Sequence, residues 1–188
     1  MNKTKRKIFE ASMKLFAEKG YEATSVEEIT SLVGVAKGTL YYHFSSKEEI
    51  FNFLAEEGMK LLYNSTKIKI DKADSYFNKI KAIIIVELKV MYKYEDFITI
   101  LLTHIWGKEP INNYFRKYIY DYISLIEETI NEGILKKSFK KCNTRLASAT
   151  IFGLMCPLEI YKIENDFKEE DILKLASELT NNIIEGIK

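Results

Sequence analysis

Apolar residues recur every three or four positions along most of the chain, and this period is the feature that most limits its fold. Examples of this spacing are Ile8, Ala11 and Leu15 near the start of the chain, and Ile172, Leu175, Leu179 and Ile183 near its end. A half-buried strand would need strict alternation of apolar and polar residues, whereas a period near 3.6 places apolar side chains on one face of an α-helix. The sequence therefore predicts an all-α fold.

Composition fits this interpretation and narrows the function classes. The 188 residues are 47% hydrophobic with a net charge of +1, so attraction to a polyanion must come from local clusters of charge. Two cysteines, Cys142 and Cys156, are too few for a disulfide scaffold and lack metal-ligand spacing. Neither a signal-peptide core nor an apolar run of membrane-spanning length is present. We expect a cytoplasmic protein without a metal or cofactor.

Patterns typical of catalysis are missing from the sequence. It contains two histidines and no HExxH, GxSxG or phosphate-loop pattern, so we do not expect an enzyme. Cys156, directly before Pro157, allows two interpretations. It could sense oxidants or thiol-reactive compounds, but we favour a buried structural cysteine.

Capping and breaking residues divide the chain into helices. Gly20 ends the first helix, and Ser25 with Glu28 forms a capping box for a second that runs to Gly34. A second box, Ser46 with Glu49, opens a helix that we expect to reach about Tyr63. Further helices are predicted at roughly 74–93, 96–106, 110–132, 143–164 (kinked by Pro157) and 168–186. We predict two domains, a small N-terminal one over 1–62 and a larger helical one over 63–188.

The stretch VAKGTLYYHF, residues 35–44, carries a glycine where a helix disfavours one by about 1 kcal/mol relative to alanine. On a helical wheel, Ala36, Leu40 and Phe44 share the arc that we expect to face the core. The opposite arc centres on Gly38 and is formed by Lys37, Gly38, Thr39, Tyr41, Tyr42 and His43. A glycine there allows another molecule to approach the backbone closely, with hydrogen-bond donors around the gap. Residues 25–44 are therefore predicted to form a helix-turn-helix whose second helix enters the DNA major groove.

Basic residues crowd the starts of two helices, where cations oppose the macrodipole. They are Lys3, Lys5, Arg6 and Lys7 before the first helix and Lys47 before the fourth. Each exposed cation costs about 0.3–1 kcal/mol there, which a nearby phosphate backbone would offset. Phosphate contact and a solvated, frayed N-terminus remain equal alternatives for the N-terminal cluster.

The segment YEATSVEEITSLVGVAKGTLYYHFSSKEEIF resembles the DNA-binding signature of the TetR family of bacterial transcriptional repressors. The resemblance covers residues 1 to about 62 and is carried by Phe16, Gly20, Thr24, Ile29, Gly34, Val35, Lys37, Gly38, Thr39, Leu40, Tyr41, Phe44, Lys47 and Glu48. It implies a homodimer with a helical domain that binds a small molecule and thereby releases operator DNA. It also implies that Lys37, Thr39 and Tyr41 to His43 contact the operator and that Thr24 and Lys47 hold phosphates. One departure is Ala36, where many members have a hydroxyl residue.

The predicted function is thus a DNA-binding repressor that a small-molecule effector inactivates. The alternative is a helical ligand-binding or interaction module that does not bind an operator. Segment RLASATIFGLMCPLEIY, 145–161, resembles members that respond to fatty acyl compounds.

We expect the homodimer to form through the last two helices. Ala147, Ala149 and Gly153 allow close helix approach, and the last helix carries an apolar stripe of Ile172, Leu175, Ala176, Leu179 and Ile183. Two such helices from each of two protomers would make a four-helix interface and require a palindromic operator. The alternative is that both stripes pack within one chain.

Candidate ligand residues lie between positions 87 and 152. They are Glu87, Met91, His104, Trp106, Tyr114, Tyr118, Tyr122 and Phe152. Tyr114, Tyr118 and Tyr122 recur every four residues and form a tyrosine stripe, which suits core packing and the lining of a cavity equally. His104 fits a histidine of the core better than a residue that binds an effector. Glu87 lies among apolar residues, so it needs a partner. We slightly favour a salt bridge with Arg116 or Arg145, and the alternative is a pocket carboxylate that binds a cationic or hydrogen-bond-donating effector.

Overall fold

A computed structural model describes residues 1–105, 107 and 110–187 of the chain, and no strand occurs among them. The all-α prediction is confirmed. The helices are α1 (Lys3–Lys19), α2 (Val26–Val33), α3 (Lys37–His43), α4 (Lys47–Asp71), α5 (Tyr76–Lys93), α6 (Glu95–Ile105), α7 (Asn113–Leu135), α8 (Thr144–Gly153), α9 (Met155–Glu164) and α10 (Ile172–Ile187). Short 3₁₀ turns, Pro110–Asn112 and Glu169–Asp171, precede α7 and α10.

The ends of α1 and α2 follow the predicted capping residues. Gly20 and Gly34 adopt φ of 83° and 73°, a region that glycine reaches without strain. The Ser25–Glu28 capping box is complete, because each side chain bonds the other residue's backbone N–H. These caps set the two short connections that orient α2 and α3.

Helix α4 differs from its predicted form at both ends. The Ser46 hydroxyl accepts the Glu49 N–H at 3.0 Å, but the Glu49 carboxylate returns to the N–H of Ser45 rather than to Ser46. The helix continues to Asp71, so the expected end near Tyr63 was wrong. The inward period explains the extension, since Leu62, Thr66 and Ile70 are buried at four-residue intervals.

The predicted helix over 143–164 is two helices that meet at Leu154. Pro157 explains the break, because its ring would collide with the carbonyl of Gly153 in a continuous helix. The proline instead occupies the first turn of α9, where its missing N–H leaves no bond unmade.

The chain forms two compact units. The N-terminal unit comprises Met1–Met59 and Glu95–Tyr118, and the C-terminal unit comprises Lys60–Tyr94 and Ile119–Lys188. Helix α6 packs against α1 in the former, and α10 packs along α5 in the latter. The predicted domain boundary after residue 62 remains a prediction. The compact units divide the chain differently, because the N-terminal unit ends its first segment at Met59 and also includes 95–118. Within the described residues, no helix has the length and apolarity that crossing a bilayer requires.

Candidate DNA-binding surface and buried polar cluster

Helix α3 is anchored to the N-terminal unit by its inward residues. Leu40 and Phe44 are buried, as is Ile29 of α2, which agrees with the predicted core arc. Ala36 does not belong to that arc, because it is exposed and stands outside α3 as its N-cap. It gives no side-chain cap, so the first N–H groups of α3 lack the acceptor that a serine or threonine would supply.

The outward face of α3 is aromatic and open. Tyr42 is 84% exposed and Tyr41 is 47% exposed, while Thr39 and His43 are half-buried beside them. A Cβ built at Gly38 meets no atom of the described residues within 4 Å. Neither packing nor a positive φ requires a glycine at this position. Its missing side chain instead leaves space for a molecule that docks from outside.

Lys37 borders this open face and already has a partner. Its ammonium group forms an ion pair with Glu27 of α2, and both side chains are largely exposed. The hydrogen bond from Lys37 lowers the pKa of the Glu27 carboxyl. Lys37 can contact a phosphate or a base edge only by leaving Glu27, or by sharing its donors with it.

Lys47 and Thr24 fasten the loop between α1 and α2. Lys47 Nζ donates to the carbonyls of Tyr21 and Thr24 at 2.7 and 2.9 Å and lies 4.2 Å from the Tyr21 ring centroid. The buried Thr24 hydroxyl donates to the carbonyls of Gly20 and Leu15. The Thr24 hydroxyl proton and two of the three Lys47 N–H donors are thus used inside the protein. The phosphate contacts of both residues stay a prediction.

The N-terminal basic cluster is held in a capped helix, not in a frayed end. The Asn2 side chain accepts the Lys5 N–H at 2.8 Å. Lys5 Nζ lies 4.7 and 4.6 Å from the ring centroids of Phe44 and Phe53, a cation–π geometry. Lys3 and Lys7 are exposed and present positive charge at the start of α1.

The C-terminal unit encloses a chain of three polar side chains, which we call the buried cluster: Thr66, Tyr122 and Glu87. The Tyr122 and Thr66 hydroxyls are 3.1 Å apart, and Tyr122 is also hydrogen-bonded to the Glu87 carboxyl. All three residues are at most 2% exposed. Glu87 Oε1 has no hydrogen-bond partner among the described residues. This oxygen can therefore take part in one further hydrogen bond.

Burial favours the protonated, neutral form of the Glu87 carboxyl at neutral pH. Burial raises the pKa of its carboxyl from 4.5 to about 8, and the hydrogen bond with Tyr122 offsets this only in part. The favoured salt bridge was wrong, because both candidate arginines bond elsewhere. Arg145 pairs with Glu127 at 3.1 Å, and Arg116 donates to Asn113 and to the Gly107 carbonyl.

The other predicted ligand residues divide between the two units. Met91, one turn from Glu87, and Phe152, whose ring centroid is 5.9 Å from that of Tyr122, are buried in the C-terminal unit. His104, Tyr114 and Tyr118 belong to the N-terminal unit, and Trp106 lies outside the described residues. His104 is half-buried, bonds the Ile100 carbonyl and contacts Phe51.

The tyrosine stripe accordingly serves two different purposes. The Tyr114 hydroxyl donates to Glu48 at 2.7 Å on the N-terminal unit, while Tyr122 is part of the buried cluster. Thr66 was not among the candidates. Its signal was its place four residues after Leu62, which the shorter predicted α4 left outside the helix.

Helices α8 and α9 expose an apolar stripe across their junction. It consists of Leu146, Ala149, Gly153, Cys156 and Ile160, each exposed and three or four residues from the next. The favoured buried position for Cys156 was wrong. On α10, Ile172 and Ala176 are buried against the chain's own core, while Leu175, Leu179 and Ile183 are half-buried.

An all-helical chain whose helix-turn-helix exposes one face of its second helix is typical of DNA-binding transcriptional regulators. Comparison with known proteins places the chain in the same class. The profile of the tetR family of bacterial regulatory proteins matches residues 8–54. A solved structure of a candidate fatty acid metabolism regulator from Clostridium perfringens is 34% identical, with a TM-score of 0.87 over 97% of this chain and 98% of its own. The chain belongs to the TetR family.

Two relatives from Bacillus subtilis extend the comparison. The HTH-type transcriptional regulator YerO is 28% identical over 194 residues. The match covers all of this chain but 66% of the length of YerO. The transcriptional regulator FadR, solved in complex with stearoyl-CoA, is 23% identical with a TM-score of 0.84, over 97% of this chain and 99% of its own. The similarity to FadR shows that the two proteins share a fold.

Proposed function

We propose that this TetR-family protein is a transcriptional repressor that binds a palindromic operator as a homodimer and dissociates when a fatty acyl thioester binds. The observation that carries operator binding is the open face of α3, where Gly38 has free space beside Tyr41 and Tyr42. Tyrosine hydroxyls and lysine are donors suited to phosphates and base edges, and a bare backbone permits close approach in the major groove. The exposed Lys3 and Lys7 are also suited to the adjacent phosphates.

The homodimer is supported by the exposed stripe of α8 and α9. Ala149 and Gly153 permit close contact between helices, and Leu146 and Ile160 supply apolar area at the two ends. A twofold axis through this stripe places the same surface of each protomer against the other. Two recognition helices then read two half-sites, which requires a palindromic operator.

The buried cluster supports an uncharged or hydrogen-bonding group of the effector rather than a cation. A neutral Glu87 carboxyl gives little attraction to a positive charge, and its free Oε1 suits a neutral group that can hydrogen-bond to a carboxyl, such as an amide. The surrounding Met91 and Phe152 suit an aliphatic chain. The likeness to a candidate fatty acid metabolism regulator and to FadR, which was solved with stearoyl-CoA, supports a fatty acyl thioester as the source of that chain.

Fluorescence anisotropy with a labelled duplex from the DNA upstream of the gene tests this function. We expect tight, saturable binding to that duplex and much weaker binding to a random duplex of equal length. Stearoyl-CoA should release the operator, whereas coenzyme A alone should not. Equal affinity for both duplexes would contradict the repressor function, and full retention of operator with saturating stearoyl-CoA would contradict the effector class.

A further inference from the structure

A groove opens between α4 and α5 on the outside of the C-terminal unit. Its volume is about 320 Å³, and it is lined by Leu61, Ser65, Ile68, Lys69, Val86, Lys89, Val90, Lys93 and Tyr94. The buried cluster lies on the other side of the same helices, because Ser65 and Val86 line the groove while their neighbours Thr66 and Glu87 point inward. The groove is therefore separate from the site proposed for the effector.

The floor of the groove is apolar and incompletely covered. Ile68 is 54% exposed and Leu61 is 40% exposed, although both are large aliphatic residues. Val86 and Val90, each 5% exposed, continue the apolar surface on α5. An aliphatic chain laid in the groove would remove this surface from water. The volume lies at the lower end of small-molecule pockets, so a single chain suits it.

The rim of the groove is positively charged. Lys69, Lys89 and Lys93 line it, and no acidic residue does so in the part of the chain that the structure describes. Lys89 and Lys93 are one helical turn apart, a spacing at which like charges repel. Lys93 Nζ lies 5.5 Å from the Tyr94 ring centroid, a contact that leaves its charge in place. Two other lysines of these helices form ion pairs with acids: Lys67 with Asp71 at 2.7 Å and Lys79 with Glu132 at 3.4 Å.

From this juxtaposition we infer that the groove binds an amphiphile with one aliphatic chain and an anionic head. The chain lies on Leu61, Ile68 and the two valines, and the head is bound by the three lysines. A carboxylate and a phosphate both supply this chemistry. Bound anion removes the repulsion between Lys89 and Lys93, so charge as well as apolar area favours the complex.

Isothermal titration of the DNA-free protein, below the micellar concentration of each probe, tests the inference. The probes are decanoate, decyl phosphate, decanol and decyltrimethylammonium. We expect the two anions to bind about tenfold or more tightly than the alcohol and the cation. Tighter binding of decanoate than of decyl phosphate identifies a carboxylate head, and the reverse order identifies a phosphate. Equal affinity for the cation would overturn the inference.

Two variants assign the binding to this groove. Lys89→Gln combined with Lys93→Gln should weaken decanoate about tenfold and leave decanol unchanged, whereas Lys72→Gln, an exposed lysine outside the groove, should change neither. Ser65→Phe should fill the groove and weaken all probes. Decanoate affinity that survives both changes, in variants with wild-type circular dichroism, would refute the site. Because no DNA is present, the result does not depend on operator binding, and the loss of affinity in variants of groove residues distinguishes this site from the one proposed for the effector.

Discussion

Replacing Gly38 with alanine should change stability and operator affinity in opposite directions. The position is helical, has no positive φ, and gives a new Cβ no neighbour within 4 Å in the described structure. Gly38 is the second residue of α3, so alanine there gains about 0.4–1 kcal/mol without a steric cost. For a chain of this size, that gain raises the melting temperature by about 1–4 °C.

The same methyl group enters the surface proposed to contact the major groove. Overpacking a fitted contact costs about 1–3 kcal/mol, and a twofold complex contains the change twice. The loss of 2–6 kcal/mol corresponds to an affinity for the operator that is about thirtyfold lower or worse. Binding to random DNA depends on phosphate contacts and should change little.

Calorimetry and anisotropy measure the two effects on the same preparation. Asn64→Ala is the matched control, because Asn64 is exposed on α4 and gains helix propensity without touching α3. It should raise the melting temperature and leave operator binding unchanged. Wild-type operator affinity in Gly38→Ala would show that α3 does not dock through this face. A lower melting temperature would show that the glycine has a structural role instead.

Three further changes probe the other features. Lys47→Ala should lower the free energy of unfolding in urea by about 2 kcal/mol, because two carbonyls lose a charged donor; unaltered stability would contradict the loop-fastening role. Glu87→Gln should remove a pH dependence of stability. Between pH 4.5 and 8 the native carboxyl keeps a proton that the unfolded chain releases, so the free energy of unfolding of the wild type falls by about 1.4 kcal/mol per pH unit as pH rises. Parallel wild-type and variant curves would refute this. Ala149→Glu should yield monomers in sedimentation with weakened operator affinity, while Asn64→Glu stays dimeric; a dimeric Ala149→Glu would exclude the α8–α9 stripe as the interface.

The helix-turn-helix could be predicted from sequence because its signals are local. Glycines with positive φ, a capping box and an inward pair, Leu40 and Phe44, lie within twenty residues of one another and act on neighbouring backbone. Because Leu40 and Phe44 face the core, their positions alone place Gly38 on the outward face of α3.

The sequence could not predict partners that are distant along the chain. Lys47 is 23 residues from Thr24 and Thr66 is 56 from Tyr122, so a helical wheel can orient each side chain but cannot name what it meets. Glu87 was recognised as an inward carboxyl, yet only tertiary packing shows that no arginine reaches it. The missed groove needs two helices in contact, and its α4 wall lies near or beyond the predicted end of that helix.

The ion pair between Lys37 and Glu27 affects how the repressor should respond to ionic strength. A free lysine that contacts DNA releases about one condensed counterion from the duplex, which makes affinity fall steeply with salt. The charge of Lys37 is instead already compensated by Glu27 before any DNA binds. If Lys37 moves to a phosphate, the Glu27 carboxylate is left without its partner beside a polyanion. Part of the counterion gain is thereby cancelled within the protein. We therefore expect the pair to reduce attraction to arbitrary DNA and to leave more of the discrimination to the fit around α3.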